Sequence, residues 1–402
     1  MIAEIKFKNF FSFRDETVFS FEADRSKDLE SYHIVEVAPE VRLLKLAVVY
    51  GANASGKSNL ILVYDFLREF IFQTPANKSS ETGVIPFLLD NNSNKPASIS
   101  LTFYVQNEKE DFIKHVYSLE LTRKHIIKES LLYYISQQPS SIFERTFEGG
   151  VSSIKYGNKI KLTSAAKEEI SLKCLPNMSV FGAYQQVNIN IQEIENVLTY
   201  FHHQMMSAIS PMKNLKQYSE NKIGNQISKE YILKYLQEAD FNISDISEYN
   251  QDSPTGSIKS LIFQHKVQND NGETSVFDFP ELLESQGTIR TIGLAGCIQE
   301  IILSNAILAI DEIESSLHPR LIEYIIERFL KESKYAQILF TTHYDGLLAE
   351  EELLRKDNIW FTEKNKDGAT ILYPLTDYKG LNRISSLQKA YKFGKFGAIP
   401  NI

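Results

Sequence analysis

Apolar and polar residues follow two different periods along the chain, and each period predicts its own kind of element. Strict alternation predicts antiparallel strands, first as a hairpin and then as a meander. The hairpin is expected within residues 2–21 and the meander over residues 98–106, 112–123 and 126–134. Residues 43–50 are apolar and rich in β-branched side chains, which is typical of a parallel strand buried on both faces.

Spacings of three and four between apolar residues predict helices. They are expected over residues 57–72, 164–175, 191–206, 229–239, 288–303 and 319–331. Short apolar runs predict strands at 180–184, 306–310 and 337–340, and a hairpin over 258–279 has its turn at 269–272. Strands and helices alternate in the last third, which indicates parallel βα architecture. Heptads are not sustained, so a long coiled coil is not expected.

The composition is that of an ordinary folded protein. Of the 402 residues, 43% are hydrophobic and 23% are charged. Lys and Arg total 43 against 51 Asp and Glu, a net charge of −8. This balance argues against a uniformly basic nucleic-acid-binding surface and leaves a local basic groove open.

Cysteine usage and hydropathy exclude several classes of protein. Cys174 and Cys297 have no Cys or His at metal-ligand spacing, so we expect two buried thiols rather than a disulfide framework or a zinc site. The first ten residues carry Glu4, Lys6 and Lys8 and do not form the apolar core of a signal peptide. Because no apolar run is long enough to span a bilayer, we expect a cytoplasmic protein without a membrane partner.

Residues 51–58 read GANASGKS and fit the pattern G-x-x-x-x-G-K-[ST], directly between a predicted strand and a predicted helix. Glycines let backbone N–H groups face phosphates, the lysine reaches the terminal phosphates, and the last hydroxyl binds Mg²⁺. The sequence therefore predicts an ATP and Mg²⁺ site. Its candidate residues are Gly51, Asn53, Ala54, Ser55, Gly56, Lys57, Ser58 and Asn59.

Two later strand ends supply further candidates. Asp311 and Glu312 follow the strand at 306–310, and acids at the carboxyl ends of parallel strands lie where ligands bind in open α/β sheets. We expect Asp311 to hold Mg²⁺ and Glu312 to act as the general base that polarises the attacking water. His343 follows the strand at 337–340 and is a candidate contact for the γ-phosphate.

Together these residues resemble the head domain of ABC-type ATPases of the SMC, RecF and OLD group. Residues 5–13 match the opening strand and turn of those proteins, and the string D-E-x-E-x-x-L-H-P at 311–319 includes a D-loop. Residues 283–288 resemble the signature loop, although the usual double glycine is absent. Ser285 and Gly287 are its best-matched positions. The resemblance also implies a glutamine that senses the γ-phosphate, for which Gln185 or Gln186 is the candidate, with Gln186 preferred.

The resemblance implies an α/β fold, a P-loop NTPase with an ABC-type head. Its mixed, largely parallel sheet is accompanied by an antiparallel β lobe and a helical insertion. Because the signature loop of such ATPases caps the nucleotide on the opposite subunit, a homodimer or higher oligomer is implied. The expected domains are residues 1–74 and 251–372 for the two halves of the core, 75–185 for the β lobe, 186–250 for the helical insertion and 373–402 for a tail.

Residues 391–400 resemble the ending of abortive-infection and restriction-linked bacterial ATPases of the AbiLi or RloA-like type. Such proteins often act with a separately encoded effector. The glycines at 394 and 397 would let this tail bend against another surface, and a poorly ordered terminus is the alternative. The acids at 350–352, 363 and 367 are interpreted as a solvated helix face and a turn rather than the metal cluster of an OLD nuclease.

Three functions are weighed from these features. The leading hypothesis is an ATPase that acts as a sensor or regulator in bacterial antiphage defence, with a nuclease or toxin activity in a partner protein. The alternative is a DNA-repair or recombination ATPase that resembles RecF and binds duplex DNA. A scaffold with vestigial hydrolysis disagrees with the presence of both Lys57 and Glu312. Acidic net charge and the tail favour the first hypothesis.

Overall fold

The computed structural model describes residues 1–90, 95–239, 241–253, 256–268 and 271–400. Contacts divide the chain into two units, each described by itself below. The first unit comprises Met1–Ile209, Asn305–Asp311 and Lys334–Ile402, and the second comprises Ser210–Ser304 and Glu312–Ser333. The domain boundaries expected from the sequence remain a prediction.

Most of the strands lie in the first unit. Its strands are β1 Ile2–Lys8, β2 Thr17–Ser20, β3 Ile34–Ala38, β4 Val41–Leu44, β5 Leu46–Gly51, β6 Ala97–Gln106, β7 Phe112–Leu121, β8 Ile126–Tyr134, β9 Ser140–Glu148, β10 Val151–Tyr156, β14 Ile307–Ile310, β15 Gln337–Thr341, β16 Ile359–Lys364 and β17 Thr370–Pro374. Its helices are α1 Glu30–His33, α2 Lys57–Phe72, α3 Ser164–Lys173, α4 Val180–Tyr184, α5 Gln192–Gln204 and α10 Leu387–Lys392.

The second unit combines helices with one small sheet. Its elements are α6 Lys216–Ile223, α7 Gln226–Glu238, β11 Ile243–Ser253, β12 Gly256–Gln268, β13 Thr274–Pro280, α8 Gln286–Ser304 and α9 Pro319–Glu332. Strands β11, β12 and β13 form an antiparallel sheet in that order. The predicted hairpin is confirmed as β12 and β13, β11 was not predicted, and residues 269 and 270 of the predicted turn lie outside the described residues.

A five-stranded sheet lies in the first unit, with strand order β14-β15-β5-β16-β17. The first four strands are parallel, and β17 is antiparallel to β16. Every residue of β5 is buried, as expected for a central parallel strand covered on both faces. The prediction that both ends of the sequence build one α/β sheet is confirmed, and its β16 and β17 were not predicted.

A second, antiparallel sheet has the order β10-β9-β8-β7-β6-β1-β2. The predicted meander is confirmed as β6, β7 and β8, and the N-terminal hairpin of β1 and β2 joins the same sheet through pairing of β1 with β6. Strands β9 and β10 were missed. Their turn contains Gly149 and Gly150 with φ of 60° and 83°, the conformation that a tight hairpin turn requires.

The prediction of a strand at residues 180–184 is wrong, because this segment is helix α4. All five of its residues are buried, and a short buried apolar run has no periodicity that separates strand from helix. Ser179 decides between them. Its hydroxyl oxygen accepts a hydrogen bond from the Gly182 N–H at 2.9 Å, which caps the helix.

A buried ion pair holds the start of α4 against the antiparallel sheet. The Glu129 carboxylate accepts the N–H of Val180 at 3.0 Å, and the Arg145 guanidinium donates to the carbonyl of Met178 at 2.5 Å. Arg145 and Glu129 are 3.3 Å apart, and their side chains are fully buried. Burial of a charge is tolerated here because each group has several hydrogen-bond partners.

The C-terminal tail packs against the five-stranded sheet of the same chain. Phe396 is 1% exposed, and its ring stacks on Phe361 of β16 with the ring centroids 5.6 Å apart. Gly394 and Gly397 have φ of 70° and 66°, so they form the turns that bring the tail back. The acids at 350–352 do not form a helix face, since they lie in turns after a short 3₁₀ segment, Asp345–Ala349.

Both cysteines are buried, as predicted. Burial raises the pKa of each thiol to about 12, so neither is a reactive thiolate at neutral pH. None of the described helices is both long and apolar enough to cross a bilayer.

Candidate functional site

Residues 51–58 form a loop that leaves the end of β5 and enters α2. Both of its outer glycines are required by their surroundings. A Cβ at Gly51 would lie 2.3 Å from the Thr362 hydroxyl oxygen, and a Cβ at Gly56 would lie 2.2 Å from that of Thr370. Gly56 also has φ of +112°, a conformation that L-residues rarely adopt. The loop is therefore pressed against β16 and β17.

Lys57 folds back over this loop. Its ammonium group donates hydrogen bonds to the carbonyls of Gly51 at 2.9 Å and Ala52 at 3.2 Å, and the residue is 5% exposed. A fixed ammonium over a curled backbone at a helix start places positive charge where phosphates bind. Lys57 therefore lies at the start of α2 with its ammonium over the loop, and its contact with phosphate stays a prediction.

A chain of hydrogen bonds braces the loop from the N-terminal segment. The Asn59 amide donates to the Ser12 hydroxyl at 2.6 Å, the Ser12 and Thr370 hydroxyls are 2.7 Å apart, and Thr370 donates to the Ser55 carbonyl at 2.8 Å. Because the Thr370 proton goes to Ser55, Ser12 must donate to Thr370. Separately, the Ser55 and Thr362 hydroxyls are 2.6 Å apart. Loop, helix and two strands are thereby tied together.

Asp311 lies at the same sheet edge as this loop. The register aligns Ile310 of β14 with Phe340 of β15, and Phe340 with Val48 of β5, so Asp311 emerges at the carboxyl ends of the parallel strands. Asp311 is 7% exposed, and its carboxylate accepts the Thr341 hydroxyl at 2.6 Å. The carboxylate is therefore held in one orientation at the edge where ligands bind in parallel sheets.

His343 follows β15 at this edge and is exposed. The backbone before it is anchored, because the Thr342 N–H donates to the carbonyl of Val49 at 3.1 Å. The backbone after it is also held, since the Thr342 hydroxyl accepts the Tyr344 N–H at 2.9 Å and Tyr50 donates to the Tyr344 carbonyl at 3.4 Å. An accessible imidazole on an anchored turn suits contact with a ligand.

Gln186 is not brought to the loop. It follows α4, and the Ser179 hydroxyl at the start of α4 donates to the carbonyl of Ile71, at the end of α2 opposite Lys57. The 16 residues of α2 span about 24 Å. The Gln186 amide instead donates to the Gly182 carbonyl at 3.4 Å. Its neighbour Gln185 likewise lies beside Phe72 and Gln73 in a surface groove.

Glu312, Ser285 and Gly287 belong to the second unit. Glu312 directly follows Asp311 and has φ of 49°, and its carbonyl accepts the Ser315 N–H at 3.0 Å. The Ser285 hydroxyl accepts the Thr288 N–H at 3.0 Å and so caps α8. A Cβ at Gly287 would lie 2.8 Å from the Ser316 carbonyl oxygen, so only glycine allows the signature-like loop to approach the D-loop-like segment.

Sequence reasoning missed the hydroxyls that support the site. Ser12 lies inside the N-terminal pattern, but Thr341, Thr362 and Thr370 carry no motif. Thr341 has one available signal, because it follows the predicted strand at 337–340 directly. Thr362 and Thr370 lie on strands that were not predicted, and their partner Ser55 is 307 and 315 residues away, so only the fold identifies them.

The residues present fit a nucleotide and its magnesium ion. The loop leads directly into α2, and the first N–H groups of a helix lack intrahelical acceptors and can bind phosphate. Ser58 is exposed at the start of α2, and Asp311 supplies a carboxylate at the same edge. The described residues contain no group of three His, Cys, Asp or Glu that could hold a metal. Magnesium normally takes one or two protein ligands and completes its shell with phosphates and water.

The parallel sheet, the loop at 51–58 and the acid at a neighbouring strand end define a P-loop nucleotide-binding protein. The profile of the family described as "AAA domain, putative AbiEii toxin, Type IV TA system" matches residues 46–349. This chain belongs to that family. No curated protein matches the chain.

Solved structures similar to the chain include the SMC head domain from Thermotoga maritima, at 16% identity and a TM-score of 0.43, over 93% of this chain and 98% of that one. The Smc head bound to the C-winged helix domain of ScpA matches at 16% identity and 0.42, over 97% and 99%. An Smc head with an extended coiled coil, bound to the ScpA C-terminal domain from Pyrococcus furiosus, matches at 14% identity and 0.42, over 98% of both. The fold is therefore assigned from the strand order and pairing of this chain and not from these similarities.

Proposed function

We propose that the chain binds ATP with Mg²⁺ at the loop of residues 51–58 and hydrolyses it. The observation that carries this proposal is the position of Lys57. Its ammonium group is held over the loop by two backbone carbonyls, at the sheet edge where the Asp311 carboxylate is also fixed. A cation and an acid at one edge suit a triphosphate and its metal ion.

Each candidate site residue of the first unit has a distinct role in this proposal. Lys57 and the loop amides hold the β- and γ-phosphates. Ser58 and Asp311 are the protein ligands of Mg²⁺, which neutralises charge on the phosphates when bound. Thr341 keeps the Asp311 carboxylate oriented through its 2.6 Å hydrogen bond. His343, exposed at the same edge, contacts the γ-phosphate.

Glu312 is the proposed general base. It follows Asp311 directly, so its carboxylate starts one peptide from the metal ligand. In the reaction it accepts a proton from the attacking water as the oxygen of that water bonds to the γ-phosphorus and the bond to ADP breaks. Glu312 lies outside the loop of residues 51–58, so its role as a proton acceptor is separate from phosphate binding by that loop.

Two copies of the chain are proposed to close around the nucleotide. Ser285 and Gly287 at the start of α8 would cap ATP held by the loop of the opposite copy, and hydrolysis would release that contact. The observations that support this are the Ser285 cap at the start of α8 and the close approach of Gly287 to the Ser316 carbonyl. ATP would thus act as a switch between associated and separated chains.

The biological role proposed is regulation of bacterial antiphage defence together with a separately encoded effector. The family description names a toxin of a toxin–antitoxin system, which supports a defence context. Expression of this chain with each neighbouring gene product tests the proposal. Growth arrest that needs both the partner and Lys57 would support it, whereas salt-sensitive binding to plain duplex DNA with DNA-stimulated hydrolysis would favour a repair function.

The direct test of the site is an ATP titration of the Lys57→Ala variant. Loss of one charge-assisted contact to phosphate costs about 1.5–3 kcal/mol, so we expect ATP affinity to fall by about 10–150-fold. Isothermal calorimetry or a fluorescent ATP analogue measures the change. Unchanged affinity would contradict the whole site assignment.

Lys364→Ala is the matched control for this titration. Its ammonium group also donates to a turn carbonyl, that of Gly368 at 2.8 Å, but it lies on β16 outside the loop. ATP affinity of this variant should stay within about twofold of the wild type, as expected for a surface substitution away from the site. Equal losses in both variants would indicate a general effect of charge.

A further inference from the structure

The second unit contains a cavity at the start of helix α8. Its volume is about 670 Å³, and its walls include Lys213, Asn214, Gln286, Arg290, Ser315 and Ser316. The cavity therefore joins three segments of the second unit: the stretch before α6, the first turn of α8 and the D-loop-like segment. Ser285 and Gly287, proposed above to cap ATP of the opposite copy, flank the lining residue Gln286, but the lining residues themselves have no role so far.

Arg290 is the unusual group in this cavity. The residue is 7% exposed, and one guanidinium nitrogen donates to the carbonyl of Pro211 at 3.2 Å. The other two nitrogens, Nε and Nη2, are buried and find no acceptor among the described residues. A buried donor without an acceptor costs about 1–3 kcal/mol, and more when it is charged. Arg290 is therefore placed to receive an acceptor that arrives from outside the chain.

The acidic side chains in the same walls are already engaged. The Glu281 carboxylate lies 3.2 Å from the Lys216 ammonium and accepts the Leu261 N–H at 3.3 Å. Glu284 lies 2.5 Å from the His265 ring nitrogen. These carboxylates have their own partners, and the guanidinium of Arg290 remains available for an added anion.

Other charges around Arg290 do not supply the missing acceptor. Burial lowers the pKa of Arg290, while Cys297, Glu312 and Glu314 favour its charged form. Neither carboxylate accepts a hydrogen bond from Nε or Nη2, because these two nitrogens find no acceptor among the described residues. Arginine stays protonated in proteins, so the site keeps its positive charge at any physiological pH.

The start of α8 strengthens the same preference for an anion. This helix is 19 residues long, and its first turn lines the cavity. A helix N-terminus attracts negative charge through its exposed N–H groups and its dipole. Gly287 adds no side chain there. A guanidinium with two unused donors beside a helix start has the chemistry of a phosphate site.

The rim of the cavity indicates how the anion arrives. Met212 and Leu282 line the cavity and are 92% and 93% exposed, and the adjacent Leu283 is 66% exposed. Grouped exposed apolar side chains are typical of surfaces that a macromolecule covers. An apolar rim around a basic cavity therefore favours a phosphate carried on a protein surface over a free ion.

We propose that Arg290 binds the terminal phosphate of ATP held by a second copy of the chain, with Met212, Leu282 and Leu283 covered by that copy. This inference rests on the function proposed above and names the residue that makes the association depend on ATP. ADP lacks the terminal phosphate and leaves the two donors of Arg290 unsatisfied. The guanidinium thus distinguishes the two nucleotides across the interface.

Complementation between two variants tests this proposal. Arg290→Gln keeps its own nucleotide loop, so it should bind ATP within about twofold of the wild type but fail to associate. Lys57→Ala keeps Arg290 but binds ATP about 10–150-fold more weakly, so the ATP concentration is set to fill only loops with an intact Lys57. In an equimolar mixture, half of the dimers are mixed and each has one intact site, so about a quarter of the wild-type sites should return. Turnover and energy transfer between labelled chains, with ATP and with ADP, are the readouts.

The outcomes separate the alternatives. Recovery of either readout in the mixture, with ATP and not with ADP, supports action of Arg290 on the other copy. If the wild type associates with ATP but the mixture recovers neither readout, Arg290 acts within its own chain, for example on Glu312, and the inference is wrong. If the wild type does not associate with ATP, the proposed dimer fails and the inference falls with it.

Two further measurements protect the test from a folding defect. Arg290→Lys keeps the charge but loses the two-pronged donor geometry, so its association with ATP should be weakened by about 10-fold rather than abolished. Thermal melting shows whether each variant is folded. Inorganic phosphate in the same experiment shows whether the site takes a free anion. If millimolar phosphate has only a weak effect on association of the wild type, a phosphate carried by the nucleotide is supported. If phosphate fully replaces ATP in promoting association, the inference is wrong.

Discussion

The loop of residues 51–58 and the cavity at the start of α8 are both proposed phosphate sites, but their polar groups are satisfied to different degrees. In the loop, Lys57 donates to two carbonyls, and Ser12 and Thr370 connect the loop to other strands. In the cavity, Arg290 has one acceptor and two unsatisfied nitrogens. A single chain supplies the hydrogen-bond partners that brace the loop. It supplies no acceptor among the described residues for Nε and Nη2 of Arg290 in the cavity.

This difference assigns the two regions to different steps. A loop whose hydrogen bonds already fix its backbone is expected to bind nucleotide with little rearrangement. A site with a buried, unsatisfied charge gains most when its ligand arrives, because the cost of burial is offset only then. Substitutions in the loop should therefore alter ATP binding by one chain, and substitutions in the cavity should alter association alone.

The largest effect is expected at Glu312, which tests whether chemistry can be separated from binding. Glu312→Gln removes the proposed base but keeps side-chain size, so turnover should fall by about 100–10,000-fold. ATP affinity should stay close to that of the wild type, because the loop is unchanged. Steady-state phosphate release and an ATP titration measure the two quantities. Unchanged turnover would remove Glu312 from this role.

Glu314→Gln is the control for this substitution. Glu314 lies two residues further on in the same acidic string and carries the same charge. Both carboxylates favour the charged form of Arg290, so the two variants change the local electrostatics in the same direction. Only the Glu312 variant should lose turnover, and equal losses would point to local charge rather than to a base.

The second largest effect is expected at Gly56, where a substitution tests whether the packing of the loop against β17 affects ATP affinity. Gly56→Ala must place a Cβ 2.2 Å from the Thr370 hydroxyl oxygen at φ of +112°. The unfavourable backbone alone costs about 1–3 kcal/mol, so ATP affinity should fall by about tenfold or more. Calorimetry gives the affinity, and thermal melting gives the loss of stability.

Gly83→Ala separates backbone strain from the clash. Gly83 has φ of +80°, but a Cβ there would meet nothing within 4 Å. This variant should lose some stability and no ATP affinity. If both variants lose only stability, the contact between Gly56 and Thr370 does not shape the phosphate loop.

The sequence predicted the loop well because a motif and its context agree there. Residues 57–72 were expected as a helix and form α2 with the same bounds. The strand expected at 43–50 is β5, displaced by a few residues at its start. Residues 180–184 were mistaken for a strand, since a buried run of five apolar residues fits either element and the cap at Ser179 was overlooked. Gln186 was chosen as a candidate because it follows this segment, so the wrong element also gave the wrong expectation for its position.

The rest of the site was beyond sequence reasoning for a physical reason. Thr362 and Thr370 are ordinary strand residues, and their importance comes from the pairing of β16 beside β5. Arg290 sits inside an otherwise apolar helical pattern, where a single basic residue suggests an exposed side chain. Only the fold shows that it is buried with donors to spare.

The smallest effect concerns the hydrogen bond between Ser12 and Thr370, whose positions are 358 residues apart. Ser12→Ala and Thr370→Val each remove hydrogen bonds worth about 0.5–1.5 kcal/mol, so each should weaken ATP binding by about 2–10-fold. Because the two side chains share one bond, the double variant should lose less than the sum of the single losses, with a coupling of about 0.5–1 kcal/mol. ATP titrations of the four proteins give this coupling.

Ser100 and Ser118 provide the matched control, because their hydroxyls are 2.9 Å apart across β6 and β7 of the same unit. Alanine at both positions should change thermal stability slightly and leave ATP affinity unchanged. Strict additivity of Ser12→Ala and Thr370→Val would mean that the N-terminal segment and β17 support the loop independently. Coupling at that pair, and none at the control pair, would show that the N-terminal segment acts on the phosphate loop through Thr370. The hydrogen bonding of the loop would then depend on segments from both ends of the sequence.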